Sequence, residues 1–159
     1  MMVLTDDMIE FLGLLNKYGV EFVLVGGHAV NYYGYVRTTQ DIDLLIYPSG
    51  KNAKCVMAAL RDFGFGNAGI PLSLFESAGS AIHLGSEPNR IDLLTTLKGV
   101  GNEQIFKNKK RIQMGALELD IIDLHDLLQI KRQSSRLKDQ ADAEELQKSQ
   151  STLDDIWTE

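Results

Sequence analysis

A four-residue apolar run, Phe22 to Val25, meets the pair Gly26-Gly27. Fourteen residues after Gly27, two acids stand one residue apart inside a second apolar run, Asp41-Ile42-Asp43-Leu44-Leu45-Ile46. This order demands a strand, a tight turn into a helix, and a second strand. Side chains at i and i+2 leave the same face of a strand, so Asp41 and Asp43 set two carboxylates side by side. Such a pair repels itself and is desolvated against a sheet unless a cation sits between the oxygens. The two glycines offer backbone N–H groups at the start of a helix, where a phosphate is welcome. A phosphate cradle beside a carboxylate pair reads as a metal-dependent site for a nucleoside triphosphate.

Composition narrows the classes. At 159 residues and 44% hydrophobic, the chain is expected to form one globular domain with its own core. The single cysteine, Cys55, cannot form an internal disulfide, which fits a reducing compartment. Met1 to Glu10 carries three acids and does not read as a secretion signal. The longest apolar runs fall far short of the ~20 residues that span a bilayer, so the expectation is a cytoplasmic protein with no membrane contact. The net charge is −6, from 22 acids against 16 Lys and Arg. That balance argues against a clamp that neutralises a nucleic-acid backbone. The basic cluster Lys107, Lys109, Lys110 and Arg111 reads as a solvated approach to a strand.

Thr5 caps a first helix with Asp6 and Asp7 in its opening turn, and Met8, Phe11, Leu12, Leu15 and Tyr18 follow helical spacing. Gly27 to Tyr33 reads as a short helix, and Gln40 to Tyr47 as a strand. Ser49 caps a helix over Lys51 to Phe63, with Gly64 as its stop. A loop with one helical turn is expected over Gly64 to Gly79. Ala81 to Leu84 and Arg90 to Thr95 read as paired strands. A short helix follows over Asn102 to Lys107, then a hairpin of Arg111 to Met114 with Leu117 to Ile121. Asp123 caps a helix to about Gln133, and Leu137 to Leu146 forms another. Residues 1–147 are read as a single domain with C-terminal helices from about 123. Residues 148–159 are read as a polar, frayed tail, apolar only at Ile156 and Trp157. The interleaving predicts an α/β (α+β) fold with a mixed sheet flanked by helices.

Gly26-Gly27, then Arg37, Thr39 and Asp41-Ile42-Asp43-Leu44, then Arg90-Ile91-Asp92-Leu93-Leu94, together resemble the nucleotidyltransferase fold of the DNA polymerase β superfamily. The small bacterial members look similar: lincosamide-type antibiotic nucleotidyltransferases and toxins of abortive-infection systems. The resemblance runs from about residue 20 to 147 and includes Asp126 to Lys131 and Arg136 to Asp142 as a C-terminal helical segment. It implies transfer of a nucleoside monophosphate from an NTP to an acceptor hydroxyl, with pyrophosphate released. Asp41, Asp43 and Asp92 would be the catalytic and metal-binding carboxylates, for Mg2+ or Mn2+. Asp92 would also help deprotonate the acceptor. Gly26, Gly27, Arg37, Thr39 and Lys131 would form the nucleotide site.

Several of these residues have a second reading. Arg37 either orients Asp41 or touches phosphate, and Thr39 is a loop-stabilising hydroxyl as readily as a ligand contact. Lys131 reaches the triphosphate or snorkels at the surface. Asp92 pairs with Arg90 or Arg37 if it is structural. His28, beside the glycines, either faces phosphate or, as the better reading, is a partly exposed capping residue, and His83 and His125 read as structural. The acceptor is a small molecule, a protein side chain or an RNA end, and a homodimer completing the cleft is one expected arrangement. The competing reading is a non-catalytic module: an NTP sensor, antitoxin or partner-binding scaffold on the same fold. A dinucleotide-binding fold fails on spacing, because the glycines lack G-x-G-x-x-G.

Overall fold

The computed structural model describes residues 4–157, and side chains as far as residue 150. Helix α1 (Asp6–Lys17) opens where the Thr5 hydroxyl accepts from Met8 N at 3.3 Å, and it buries Met8, Phe11, Leu12 and Leu15. Strand β1 (Phe22–Val25) is buried along its whole length. It runs directly into α2 (Gly26–Tyr32), as the Gly-Gly signal requires. Strand β2 (Asp41–Ile46) follows, then α3 (Gly50–Leu60), whose first turn is capped by the Ser49 hydroxyl. Buried Asn52 pins the ends of β1 and β2 together: it accepts from Glu21 N and donates to the carbonyls of Glu21 and Tyr47.

The long helix expected to Phe63 changes pitch earlier. After Leu60 the chain forms a wide turn over Arg61–Phe65, with Gly64 at φ +102°. The expected helical turn in the following loop is a tight one over Leu72–Phe75, and it places Phe75 fully inside the core. Strands β3 (Ala81–Leu84) and β4 (Arg90–Leu94) form the predicted pair. Helix α4 (Asn102–Asn108), β5 (Lys110–Met114) and β6 (Leu117–Ile121) follow. The chain ends in α5 (Leu124–Gln133), capped by Asp123, and α6 (Leu137–Trp157).

Helix α6 does not fray after Leu146 as expected but continues to Trp157. Lys148 pairs with Glu144 one turn back, a spacing that supports a helix at this point. The side chains of Ile156 and Trp157 lie outside the described ones. No helix among the described residues is long and apolar enough to cross a membrane.

Six strands form one mixed sheet in the order β3-β4-β2-β1-β6-β5. β2 is antiparallel to β1 and parallel to β4, and β3 returns antiparallel on β4. Register decides what this brings together. Val25 faces Asp43, Asp43 faces Asp92, and Asp92 faces His83 across four adjacent strands. Asp41 stands opposite Arg90 one step along the same face. The three central strands β4, β2 and β1 are otherwise lined by Leu, Ile, Val and Phe apart from Arg90, so these acids and Arg90 form a polar island at one end of an apolar stretch of sheet.

Candidate active site

The three aspartates predicted from the sequence converge. One carboxylate oxygen from each of Asp41, Asp43 and Asp92 lies within 4.8 Å of the others. They line a cleft of about 230 Å3 that also includes Gly26, Gly27, Arg37, Thr39 and Lys131, so it gathers every expected site residue. Parallel pairing of β2 with β4 is the cause: without it Asp92 would not share a row with Asp43.

The glycines are required here for a reason the sequence did not supply. Gly26 has φ +70°, and a Cβ built on it would lie 2.9 Å from both Cβ and Cγ of Asp43. A Cβ on Gly27 would lie 2.7 Å from the Thr39 hydroxyl. The bare turn thus lets the start of α2 press against β2 and the segment leading into it. Thr39 is held there by donating its hydroxyl to Asp41 O at 3.1 Å.

The electrostatics are uneven. Burial, reinforced by Asp41 and by a proton shared with Asp92, pushes the Asp43 carboxyl up to about 7. Asp92 goes the other way. Burial would raise it, but hydrogen bonds from His83 and Arg90 outweigh that and hold it below the ordinary carboxylate range. His83 Nδ1 lies 2.6 Å from Asp92 Oδ1, and Arg90 Nε lies 2.9 Å from the same oxygen. Arg90 also extends Nη2 to Asp41 Oδ2 at 2.6 Å. One guanidinium therefore bridges two of the three acids, at a place where a cation is demanded.

Arg37 and Lys131 line the cleft, yet both have acidic partners. Arg37 makes a two-pronged contact with Asp142, 2.8 Å from Nε to Oδ1 and 2.9 Å from Nη2 to Oδ2, and does not orient Asp41. Lys131 Nζ donates to Asp139 at 2.9 Å and lies 3.2 Å from Asp142. It is 8% exposed, which overturns the surface-lysine reading. Asp142, 1% exposed, ties the segment before β2 to α5 and α6 through these two cations. On the same rim Arg136 and Lys138 are exposed.

Sequence reasoning missed the roles of three residues, His83, Asp142 and His28. Arg90 does pair with Asp92, as one expectation had it, and adds a second contact, to Asp41, that was not expected. His83, expected to be structural, lies opposite Asp92 in the hairpin register, so the carboxylates do have a histidine beside them. Asp142 needed the docking of α6, which no local pattern reveals. His28 is not a partly exposed cap: it is 1% exposed, and neither ring nitrogen has a hydrogen-bond partner. The basic cluster of residues 107–111 is largely paired, with Lys109 and Arg111 on Asp120 and Lys110 near Asp123.

A six-stranded mixed sheet flanked by helices, with this carboxylate row beside a Gly-Gly turn, is a nucleotidyltransferase fold. Residues 4–155 match the family described as nucleotidyl transferase of unknown function (DUF2204), and the chain belongs to that family. No curated protein matches the sequence.

Proposed function

We propose that the protein is a divalent-metal-dependent transferase that moves a nucleoside monophosphate from an NTP to an acceptor hydroxyl. The observation that carries this reading is the convergence of Asp41, Asp43 and Asp92 with Asp43 pushed up to about 7. Three close carboxylates are costly to ionise together, and an all-oxygen donor set suits Mg2+ or Mn2+ better than zinc. When bound there, such an ion neutralises charge on the phosphate oxygens and on the attacking and leaving oxygens.

The chain's own groups divide the remaining work. Asp41 and Asp43 would hold the cation. The backbone at Gly26-Gly27 leaves room for the phosphates. Asp92, held ionised by His83 and Arg90, accepts the proton of the acceptor hydroxyl. The hydroxyl oxygen bonds to the α-phosphorus, the bond from that phosphorus to the β-bridging oxygen breaks, and pyrophosphate leaves with the electron pair. Arg90 must release at least part of its hold on Asp41 for the cation to enter.

The test is to incubate the protein with labelled NTPs and Mg2+ or Mn2+, alongside acceptors of each kind. Lincosamide-type small molecules, a protein and RNA ends, as toxin-like members would use, should all be present. Label transfer and pyrophosphate release are expected, both lost in Asp41→Asn/Asp43→Asn. Undiminished transfer in that double variant would remove the carboxylates from the chemistry.

Arg90 favours a second reading. A guanidinium already placed between Asp41 and Asp92 is how a fold without a metal would keep the acids together. The protein would then be a non-catalytic module that senses NTP or binds a partner. Binding of MgNTP without pyrophosphate release across all acceptors would select it.

A further inference from the structure

Arg37 and Thr39 face two spaces. Besides the carboxylate cleft they line a second chamber of about 450 Å3, whose other walls include His28, Asn31, Val36 and Pro88. The two spaces differ sharply in charge. The cleft carries acids and, at its far rim, the exposed cations Arg136 and Lys138. Among the described residues the second chamber is lined by no acid and by one cation, Arg37, already held by both oxygens of Asp142.

His28 is the unusual wall. It is 1% exposed, and both ring nitrogens lack a hydrogen-bond partner. Burial, the largest influence, lowers its pKa, so the ring is neutral and offers one donor and one acceptor. Native proteins rarely leave buried polar atoms unpaired, and an exception calls for something that fills the place. Nearby, Val36 leaves an apolar side chain 63% exposed. A neutral donor–acceptor pair beside a bare apolar wall, in a space of small-molecule size, is the usual makeup of a ligand pocket.

We propose that this chamber takes the acceptor, an uncharged, ring-sized molecule that packs on Val36, hydrogen-bonds His28 and presents a hydroxyl past Thr39 to the carboxylates. This rests on the transferase reading and narrows it to a small-molecule acceptor. An RNA end would bring phosphate charge that Arg37, already paired, does not offset. A single protein side chain would leave most of the space unfilled.

The experiment uses the full chain, a library of uncharged, hydroxyl-bearing ring fragments, and the imidazole nitrogen resonances of His28. Fragments are expected to shift those resonances in the wild-type protein. Val36→Trp, at an exposed position, should weaken fragment binding tenfold or more while MgATP affinity stays unchanged. His28→Phe removes two orphaned polar atoms, so it should melt no lower than wild type while losing the fragments. If the library leaves His28 undisturbed, the ring is served by water alone and the assignment is overturned. Equal loss of MgATP and fragment binding in Val36→Trp would overturn it too, making the chamber a nucleobase site. Failure of MgATP to bind wild type would instead bring down the transferase reading and leave the fragment result standing.

Discussion

Arg90 reaches from β4 to Asp41 on β2, with Nη2 2.6 Å from Oδ2, while its Nε holds Asp92 at 2.9 Å. The guanidinium is thus an internal counter-ion that competes with any metal for the same oxygens. Arg90→Ala removes it and leaves three mutually repelling carboxylates. The variant should melt below wild type in EDTA. Added Mg2+ should raise its melting temperature by more than it raises that of wild type, because binding to the folded state alone stabilises it. Equal responses of the two proteins to Mg2+ would show that Arg90 and the ion do not share a site.

Asp43 gives the site a pH dependence whose sign is fixed. Its folded pKa, about 7, lies above the ordinary aspartate value of 3.8, chiefly through burial and then through Asp41 and Asp92. The folded state therefore binds the proton more tightly than the unfolded chain. The stabilisation is fully present below pH 3.8 and is lost as pH rises through about 7. Metal-free protein should lose melting temperature between pH 5 and pH 8, at roughly 2–4 °C per kcal/mol for a domain of this size. Asp43→Asn should flatten that decline and melt above wild type at pH 8. Thermal melts in EDTA across this range decide the matter, and an unchanged slope in Asp43→Asn would place the titration elsewhere.

Local patterns carried most of the fold. Thr5, Ser49 and Asp123 each cap the helix whose start they signalled, through hydrogen bonds to Met8, Asn52 and His125. The same-face rule placed Asp41 beside Asp43. What stayed hidden depends on contacts distant in the chain. The partner of Arg37 lies 105 residues away on α6, and that of His83 depends on a hairpin register that no residue type announces. The Gly26-Gly27 pattern signals room for phosphate. The structure adds that a side chain there would collide with Asp43 and Thr39, contacts set by how α2 lies on β2. His28 departs from expectation for a related reason: its place next to the glycines suggests a helix cap, but burial follows from packing around it.

Asp142 is the clearest stability prediction. It is 1% exposed and serves Arg37 with both oxygens and Lys131 with one, so it carries two cations that have little access to water. Asp142→Ala leaves Arg37 without its carboxylate partner and Lys131 with Asp139 alone, and breaking a buried pair in this way costs about 3–5 kcal/mol. Urea denaturation should show that loss as a lowered midpoint with little change in slope. Asp142→Asn keeps the shape and should recover only part of it. A loss below about 1 kcal/mol, the range of exposed ion pairs, would mean that water reaches the cluster.

Asp92 separates transferase from sensor, and His83 refines the separation. On the proposed reading Asp41 and Asp43 suffice to hold a nucleotide with its metal, whereas a base is needed only when an acceptor hydroxyl loses its proton. Asp92→Asn keeps size and hydrogen bonding but removes the charge. It should leave MgNTP affinity nearly unchanged and slow transfer by about a hundredfold or more, the scale of a general-base contribution. His83 Nδ1 touches the same carboxylate oxygen at 2.6 Å, so His83 acts through Asp92 as a positioning residue. His83→Ala should lower kcat by less than Asp92→Asn does. In the double variant the His83 change should add little further loss, because residues acting as a unit are not additive. Calorimetry with MgNTP and single-turnover pyrophosphate release supply both readouts. Wild-type turnover by Asp92→Asn would make this aspartate structural, and multiplying losses in the double variant would show that His83 acts on its own.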